Sequence, residues 1–245
     1  MVTRTATGQH PIDAPGTDER AWAAWPTLSS LPAARLGGLA SVAVIAAHPD
    51  DEVLGAGGLI SVLAAAGARL RLVAVTDGEG SHRGHADPAV LVRRRITETA
   101  AALEALGADR TEVVRLGLPD SGLAGHEDLL TETLTGLTAG FDACLAPWDG
   151  DLHPDHEAAG RAARRAFPGT LCYPIWMWHW AVPGDPRVPW ERAVRVPLPA
   201  SAVAAKRAAI GCFASQLEDR DPGLGPVLSP AMTAHFTRPA EALLR

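Results

Sequence analysis

The sequence predicts an α/β fold, a Rossmann-like three-layer α/β/α sandwich built around a mostly parallel sheet. From residue 41 onward, short runs rich in β-branched residues alternate with longer segments rich in Ala and Leu. That alternation is typical of strands connected by helices that pack on both faces of a sheet. The chain has 245 residues, of which 47% are hydrophobic and 20% charged, as in an ordinary globular protein that forms one α/β domain.

Four strand–helix units follow one another along the chain. The predicted strands are Ser41 to Ala47, Leu70 to Thr76, Glu112 to Leu116 and Asp142 to Ala146. The predicted helices are Glu52 to Gly67, Ala89 to Leu106, Glu127 to Thr138, Glu157 to Phe167 and, near the end, Ala200 to Ser215. The glycines of Gly55 to Gly58 fall inside the first helix rather than in the turn before it, which argues against a dinucleotide-binding loop.

The first part of the chain is polar and turn-rich, so residues 1–40 are predicted to form an N-terminal extension that is partly flexible, ahead of a domain over residues 41–245. It lacks the apolar core of a secretory signal, and no apolar run is long enough to span a bilayer. The three cysteines are far apart and odd in number, which fits a reducing compartment. We therefore expect a soluble, cytoplasmic protein.

The charge balance bears on possible partners. The formal net charge is −6, and Lys and Arg form no long basic run. An acidic chain offers no electrostatic reason to bind a phosphate backbone. We therefore expect no nucleic-acid or membrane partner, and the sequence leaves the oligomeric state open.

A tryptophan-rich segment, Pro174 to Trp190, interrupts the alternation of strands and helices. Its alternating tryptophans predict a strand with one aromatic face. Such a face could stack on a sugar ring, but tryptophans more often fill a core or an interface, and we favour that interpretation. His179 within it, and His82 and His85 after the second strand, are further candidates for substrate contact.

Two short clusters of His and Asp carry the chemistry. The sequence AHPDDE at Ala47 to Glu52 follows the first predicted strand, and HPDH at His153 to His156 follows the fourth. Because loops at the carboxyl ends of parallel strands converge on one edge of the sheet, these clusters can meet across a crevice. The sequence therefore predicts one site built from both.

Imidazole nitrogens with one carboxylate form a ligand set suited to zinc, and three protein ligands leave a position open for water. Such a site makes hydroxide available near neutral pH and polarises a carbonyl group, and amide hydrolysis needs both effects. Adjacent side chains of an extended turn diverge, so of Asp50 and Asp51 one can bind the metal while the other accepts a proton.

Other interpretations remain. The acidic residues of either cluster could simply cap the following helix. The protein could also be a zinc- or carbohydrate-binding module without turnover, or a zinc esterase or other hydrolase, since a metal-bound water attacks several kinds of electrophile.

Together with the sequence TDGEG after the second predicted strand, the two clusters resemble the PIG-L/LmbE-like family of zinc-dependent de-N-acetylases. The resemblance extends over roughly residues 41–215 and includes the pair Arg95 and Glu98, the sequence GLPDSG at Gly117 to Gly122, and the segment Lys206 to Gln216. It implies that residues 41–245 form a deacetylase domain. The implied substrate is an N-acylated, usually N-acetylated, small sugar-like molecule such as an N-acetylglucosamine conjugate.

The resemblance also implies roles for individual residues. Zinc would be held by His48, Asp51 and His156. Asp50 would be the general base for the attacking water, and His153 would be the acid or the partner of the oxyanion.

The remaining roles concern supporting residues. Asp155 resembles the carboxylate that orients an imidazole by accepting its other N–H. Arg95 and Asp120 correspond to positions that contact substrate hydroxyls, although a structural ion pair would explain either residue equally well. Some relatives carry a tyrosine just before the second histidine motif, whereas this chain has the sequence Gly150 to Leu152 there.

Overall fold

The computed structural model describes residues 10–34, 36, 38–81, 87–219 and 225–245. The strands are β1 Ser41–Ala46, β2 Arg69–Ala74, β3 Glu112–Arg115, β4 Ala143–Pro147, β5 Leu171–Tyr173, β6 Ala193–Pro197 and β7 Ala240–Leu244. The helices are α1 Glu19–Ala23, α2 Pro26–Ser30, α3 Asp51–Ala65, α4 Pro88–Ala105, α5 Glu127–Thr138, α6 Pro154–Ala166, α7 Met177–Trp180, α8 Ala200–Ile210, α9 Ala214–Leu217 and α10 Pro230–Ala234.

The strands form one sheet in the order β3-β2-β1-β4-β5-β7-β6. The first five strands of that order run parallel, and β7 is antiparallel to both of its neighbours. Helices cover both faces, and the core divides into one apolar cluster on each side of the sheet. The predicted α/β fold with a mostly parallel sheet is confirmed.

The strand order explains where a site can form. β1 lies between β2 and β4, so the chain leaves β1 in one direction across the sheet and continues in the other direction from β4. At such a reversal the loops after the two central strands separate and open a crevice at the carboxyl edge. Both His–Asp clusters lie in those two loops.

The predicted elements differ from the observed ones at a few boundaries. The helix expected over Glu157 to Phe167 begins earlier, at Pro154, because proline is favoured in a first helical turn. The helix expected over Ala200 to Ser215 is interrupted after Ile210 and continues only as the short α9. The sequence analysis missed three short strands at one edge of the sheet, β5, β6 and β7.

The predicted strand in the tryptophan-rich segment is wrong. Met177–Trp180 is a helical turn, not a strand. The physical reason is the carboxylate of Asp151, which accepts hydrogen bonds from the backbone N–H groups of residues 175–177 at 2.8–3.1 Å. The backbone therefore curls around a buried anion instead of pairing with a neighbouring strand.

Residues from the predicted N-terminal extension pack on the domain. The indole of Trp22 is wholly buried, stands edge-on to Trp178 at 5.1 Å between ring centroids, and donates a hydrogen bond from Nε1 to the carbonyl of Trp178. Ala33 also forms a bridge with Arg195 of β6. The division of the chain at residue 40 stays a prediction, and residues 1–9, where part of the flexibility was predicted, lie outside the described residues.

Two further features concern the chain as a whole. Within the described ranges, no helix combines the length and apolarity that crossing a membrane would require. The thiols of Cys144, Cys172 and Cys212 are free, and the first two are buried. Burial raises the pKa of Cys144 to about 12, so this thiol is protonated at neutral pH.

Helix α3 packs closely on the sheet because a glycine faces an aromatic ring. A Cβ atom at Gly55 would lie 2.0 Å from the ring of Tyr173. That ring is fully buried, and its hydroxyl donates a hydrogen bond of 2.5 Å to the carbonyl of Ile45 in β1. The contact fixes the start of α3 against the sheet directly below the His48 loop.

Replacing Gly55 by alanine should therefore destabilise the protein. Overpacking of a rigid core costs about 1–3 kcal/mol, so we expect a lower free energy of unfolding and a lower Tm in chemical and thermal denaturation. Gly136 of α5 is the matched control, because its added methyl group would meet nothing within 4 Å. The Gly136→Ala variant should be more stable by about 0.5–1 kcal/mol, and equal effects of the two substitutions would contradict this account of Gly55.

Candidate metal centre

The two His–Asp loops meet at the carboxyl edge of the sheet. His48 follows β1, Asp51 is the first residue of α3, and His156 lies in the first turn of α6. Nδ1 of His48 lies 3.2 Å from Nε2 of His156. The carboxylate of Asp51 lies 3.6 Å from the first of these nitrogens and 3.3 Å from the second.

These three distances fit a divalent metal ion. A tetrahedral zinc ion with bonds of about 2.0–2.1 Å to N and O separates neighbouring ligand atoms by about 3.3 Å. Two ring nitrogens that face each other at 3.2 Å cannot both carry a proton without conflict, whereas a shared cation satisfies both. The triangle formed by His48, Asp51 and His156 therefore fits a metal ion in its donor types and in its spacing.

The outer nitrogen of His156, the one that points away from the triangle, is held by Asp151. Nδ1 of His156 lies 2.7 Å from the carboxylate of Asp151, which is completely buried. Because the same carboxylate accepts three backbone N–H groups, it is fixed in place and directs the other nitrogen of His156 toward the candidate site. The sequence analysis missed Asp151, although an acidic residue in the same loop as a predicted ligand was a usable signal.

The outer nitrogen of His48 faces two carboxylates. Its Nε2 lies 3.2 Å from Asp155 and 3.3 Å from Asp120. Asp155 also accepts the N–H groups of Ser121 and Leu123, so its position is fixed by the backbone. Asp155, which was predicted to orient an imidazole, thus contacts the imidazole of His48.

A second group of possible ligands shares His48, because ligand atoms of His48, Asp120 and Asp155 lie within 4.8 Å of one another. Asp155 already accepts two backbone N–H groups, and Asp120 accepts that of Gly80 at 2.8 Å. This group also has only one imidazole. The set formed by two histidines and Asp51 is therefore the better match to zinc.

The anionic charge around the site raises the pKa of two histidines. Burial alone would lower the pKa of His156, but Asp51 and Asp151 raise it to about 9. Burial likewise opposes the charging of His48, and the surrounding carboxylates raise its pKa well above the usual value. The site therefore favours positive charge, whether from protons or from a metal ion.

Asp50 stands beside the triangle in an unusual backbone conformation. Its φ is +113°, and its side chain is buried next to Arg95, with Nη2 to Oδ2 at 3.3 Å. Burial raises the pKa of Asp50 to about 7, although the positive charge of Arg95 acts in the opposite direction. Arg95 also donates to the carbonyl groups of Pro49 and Gly78, so it holds the loop as well as the carboxylate.

Left-handed backbone conformations are concentrated around this site. Among the described residues, three that are not glycine have φ in the left-handed region, and these are Asp50, Ser121 and Leu152. Each stands in one of the three loops that carry the Asp and His side chains described above. Such conformations cost of order 1–3 kcal/mol each and persist where the surrounding contacts hold them.

His153 lies on the open side of the triangle. Its ring centroid is 4.9 Å from that of His48 and 4.5 Å from that of His156, and its buried Nδ1 has no hydrogen-bond partner. Burial and the two neighbouring histidines lower the pKa of His153 to about 2, so its imidazole is neutral. The ring of Trp176 lies nearly parallel to it, at 6.4 Å between centroids.

Ligand atoms of His153 lie within 4.8 Å of those of the other two histidines, so it could also reach a metal ion. Neither of its nitrogens has a carboxylate partner among the interactions of the described residues, in contrast to His48 and His156. Metal-binding histidines almost always have such a partner on the outer nitrogen. His153 therefore matches a free polar group beside a metal better than a ligand.

Helix capping does not account for these residues. Asp50 and His153 occupy the N-cap positions of α3 and α6, but neither side chain makes a capping hydrogen bond. The carboxylate of Asp51 accepts from the backbone N–H of His48, outside the helix. The clusters are placed toward one another rather than toward the ends of their helices.

A cavity of about 510 Å³ opens above the triangle. Its lining combines the polar residues of the site, including Arg95 and Asp120, with an apolar wall that includes Ile175, Trp176 and Met232. His179 also lines it, with Nε2 placed 2.8 Å from the carbonyl of Ala14. His82 and His85 lie outside the described residues.

A family model described as PIG-L, GlcNAc-PI de-N-acetylase, matches residues 43–167, which is half of the chain. The chain belongs to the PIG-L family. The family that the sequence motifs resembled is thereby confirmed.

Individual PIG-L relatives agree with this assignment. A 1D-myo-inositol 2-acetamido-2-deoxy-alpha-D-glucopyranoside deacetylase of Kineococcus radiotolerans is 39% identical over 90 residues, which cover 33% of this chain and 25% of the relative. Diacetylchitobiose deacetylase of Thermococcus kodakarensis is 32% identical over 127 residues, which cover 49% of this chain and 46% of the relative. The matched segment thus spans a quarter to about half of the length of these relatives.

Solved structures support the fold. The deacetylase of the A40926 pseudoaglycone superposes with a TM-score of 0.62 at 18% identity, over 84% of this chain and 96% of that one. At this level of identity the similarity shows a shared architecture.

Asp151 provides a direct test of the triangle. In an Asp151→Asn variant the outer nitrogen of His156 loses its anionic partner, and we expect zinc affinity to fall roughly 10–100-fold. Competition with a chromogenic chelator measures this affinity. Asp128→Asn is the control, because the side chain of Asp128 is fully exposed. An equal zinc affinity of the two folded variants would show that Asp151 does not support a metal ligand.

Proposed function

We propose that this protein is a zinc-dependent hydrolase that removes an N-acyl group, most simply N-acetyl, from an amino sugar or a similar small glycoconjugate. The single observation that carries the proposal is the triangle of His48, Asp51 and His156 beneath an open cavity. Its spacing matches the ligand separation of a tetrahedral zinc ion, and three protein ligands leave one position for water.

The donor set favours zinc over magnesium or calcium. Two imidazoles with one carboxylate are borderline-soft ligands, whereas magnesium and calcium prefer sites made of oxygen. A zinc ion held there would supply a water of lowered pKa and would polarise the acyl carbonyl.

Asp50 is assigned as the general base. It precedes the ligand Asp51, yet the left-handed backbone at residue 50 turns its side chain toward Arg95 and away from the helix end. A carboxylate that lines the cavity without binding the metal is placed to accept a proton from the attacking water. Arg95 holds this carboxylate in position, and its predicted contact with substrate hydroxyls is retained as part of the proposal.

His153 is assigned to the opposite side of the reacting carbonyl. A neutral imidazole with a free buried nitrogen can donate an N–H to the developing oxyanion or help to protonate the leaving amine. Asp151 and Asp155 act through the imidazoles of His156 and His48, which they hold in orientation.

The substrate class rests on the cavity and on the relatives. The cavity presents polar groups at the triangle and an apolar wall farther out, a combination that suits a sugar with an attached group. The names of both PIG-L relatives given above describe deacetylation of N-acetylated amino sugars. Asp120, which accepts the N–H of Gly80 at the cavity wall, would bind a sugar hydroxyl.

The free thiols fit a cytoplasmic protein.

An Asp50→Asn variant tests the proposed chemistry. The amide keeps the shape of the side chain but cannot accept the proton. We therefore expect kcat to fall roughly 10²–10⁴-fold while the amount of bound zinc stays at the wild-type level. Amine release from a panel of N-acetylated sugars and elemental analysis measure the two quantities. The exposed Asp109 supplies the control variant Asp109→Asn. Undiminished turnover in Asp50→Asn would remove this residue from the mechanism, and a zinc-loaded wild type that leaves every N-acyl substrate intact would favour a binding module.

The two histidines of the HPDH sequence should behave differently. His156→Ala removes a proposed ligand, so we expect bound zinc to be lost together with activity. His153→Ala should retain zinc, and its kcat should fall roughly 10–10³-fold, because a group acting on the oxyanion or the leaving amine is removed. Zinc content by elemental analysis separates the two cases, and loss of zinc from both variants would make His153 a ligand.

A further inference from the structure

A second cavity, separate from the metal centre, lies between the N-terminal helices and the sheet. Its volume is about 360 Å³, within the range of small-molecule sites. Residues from α1 and α2 form one wall, and residues from β6, β7 and the start of α3 form the others. Leu54 is the one described residue that lines both cavities, so the second is not an extension of the substrate cavity.

Part of the apolar lining of this cavity is aromatic. Its aromatic lining residues are Trp22, Trp25, Trp178 and Phe236. The rings of Trp22 and Trp25 meet at 66°, and those of Trp22 and Trp178 at 88°, so Trp22 is covered by its neighbours. Trp25 is half-buried and offers ring surface to the cavity. An indole with exposed surface suits a flat apolar body, which can stack on its face or meet its edge.

Most of the charged groups in the cavity already have partners. Glu19 accepts hydrogen bonds from Arg238 and lies 2.7 Å from Nδ1 of His235. Lys206 lies 2.6 Å from Glu241, which also accepts the N–H groups of Gly58 and Leu59. These groups neutralise one another and leave little demand for an outside ligand.

Arg195 is the exception. It projects from β6 into the cavity, and its Nε is buried without a hydrogen-bond partner. Within the described part of the chain, its guanidinium makes no salt bridge, whereas the other two cationic side chains of the cavity, Lys206 and Arg238, are paired. Three cationic side chains against two carboxylates leave one positive charge, and it belongs to Arg195.

We propose that this cavity binds a small carboxylic acid with an aromatic body. The carboxylate would accept hydrogen bonds from the guanidinium of Arg195, a planar donor that matches two carboxylate oxygens. The aromatic body would lie against the half-buried ring of Trp25. Arg195 is half-buried, and its Nε is buried without an acceptor, so an anion in the cavity would supply the acceptor that this N–H lacks.

The site lies close to the metal centre without belonging to it. Leu54 is one turn along α3 from Asp51, and its side chain separates the two cavities. A ligand in the second cavity would therefore contact the helix that carries a proposed metal ligand.

The probe for a test is 3-phenylpropionate, with the neutral 3-phenylpropionamide as its uncharged counterpart. We expect calorimetric titration of the zinc-loaded wild type to show one binding site for the acid and at least tenfold weaker binding of the amide. Arg195→Gln should weaken binding of the acid at least tenfold, and Arg195→Lys should retain part of the affinity. Circular dichroism checks that each variant is folded.

A carboxylate could also bind a metal ion, so the Asp51→Asn variant supplies the necessary distinction. Binding of 3-phenylpropionate that persists in Asp51→Asn and fails in Arg195→Gln supports the second cavity. Three outcomes would overturn the proposal: equal binding by Arg195→Gln and the wild type, loss of binding in Asp51→Asn alone, or no binding of the acid at millimolar concentrations. Because the acid is not an N-acyl compound, its binding is independent of whether the proposed deacetylation occurs.

Discussion

The close approach of two imidazole nitrogens, 3.2 Å apart on His48 and His156, is the constraint on which the rest of the site depends. The other nitrogen of each ring faces a carboxylate, and with the protons held there the two nitrogens that face each other both present unshared electron pairs. A cation shared between them and the carboxylate of Asp51 resolves the conflict. The remaining carboxylates around the site supply the negative charge that attracts this cation and orient the rings that hold it.

The fold provides the approach through its strand order. Because β1 and β4 are neighbours at the point where the chain changes direction across the sheet, their loops face each other over a crevice. Gly55 lets α3 pack against Tyr173, which fixes the first turn that carries Asp51. Gly78 has the same function on the other side, because a Cβ atom there would lie 1.7 Å from the guanidinium of Arg95. The strained loops are thus held by contacts on both flanks.

Much of this arrangement could be predicted from the sequence, because it depends on local order along the chain. Strands β1 to β4 and helices α3 to α6 follow from hydrophobic periodicity, and the position of AHPDDE and HPDH after strands places both at one edge. The antiparallel strands β6 and β7 could not be predicted, because β7 has the sequence AEALL, whose residues favour a helix, and β6 has five residues and ends in Pro197. Asp151 and the curled tryptophan segment were missed for one reason. A buried carboxylate that organises a distant backbone leaves no periodic signal, and the alternating tryptophans indicated a strand instead. The left-handed backbone at Asp50, which separates its side chain from that of Asp51, is equally invisible in the sequence.

The position of a bound metal ion tests the central claim most directly. A crystal of the zinc-loaded protein, measured above and below the zinc absorption edge, locates the ion by its anomalous scattering. The account predicts one ion within about 2.3 Å of Nδ1 of His48, Nε2 of His156 and a carboxylate oxygen of Asp51. An ion bound instead to Nε2 of His48 between Asp120 and Asp155, or no ion at this edge of the sheet, would contradict it.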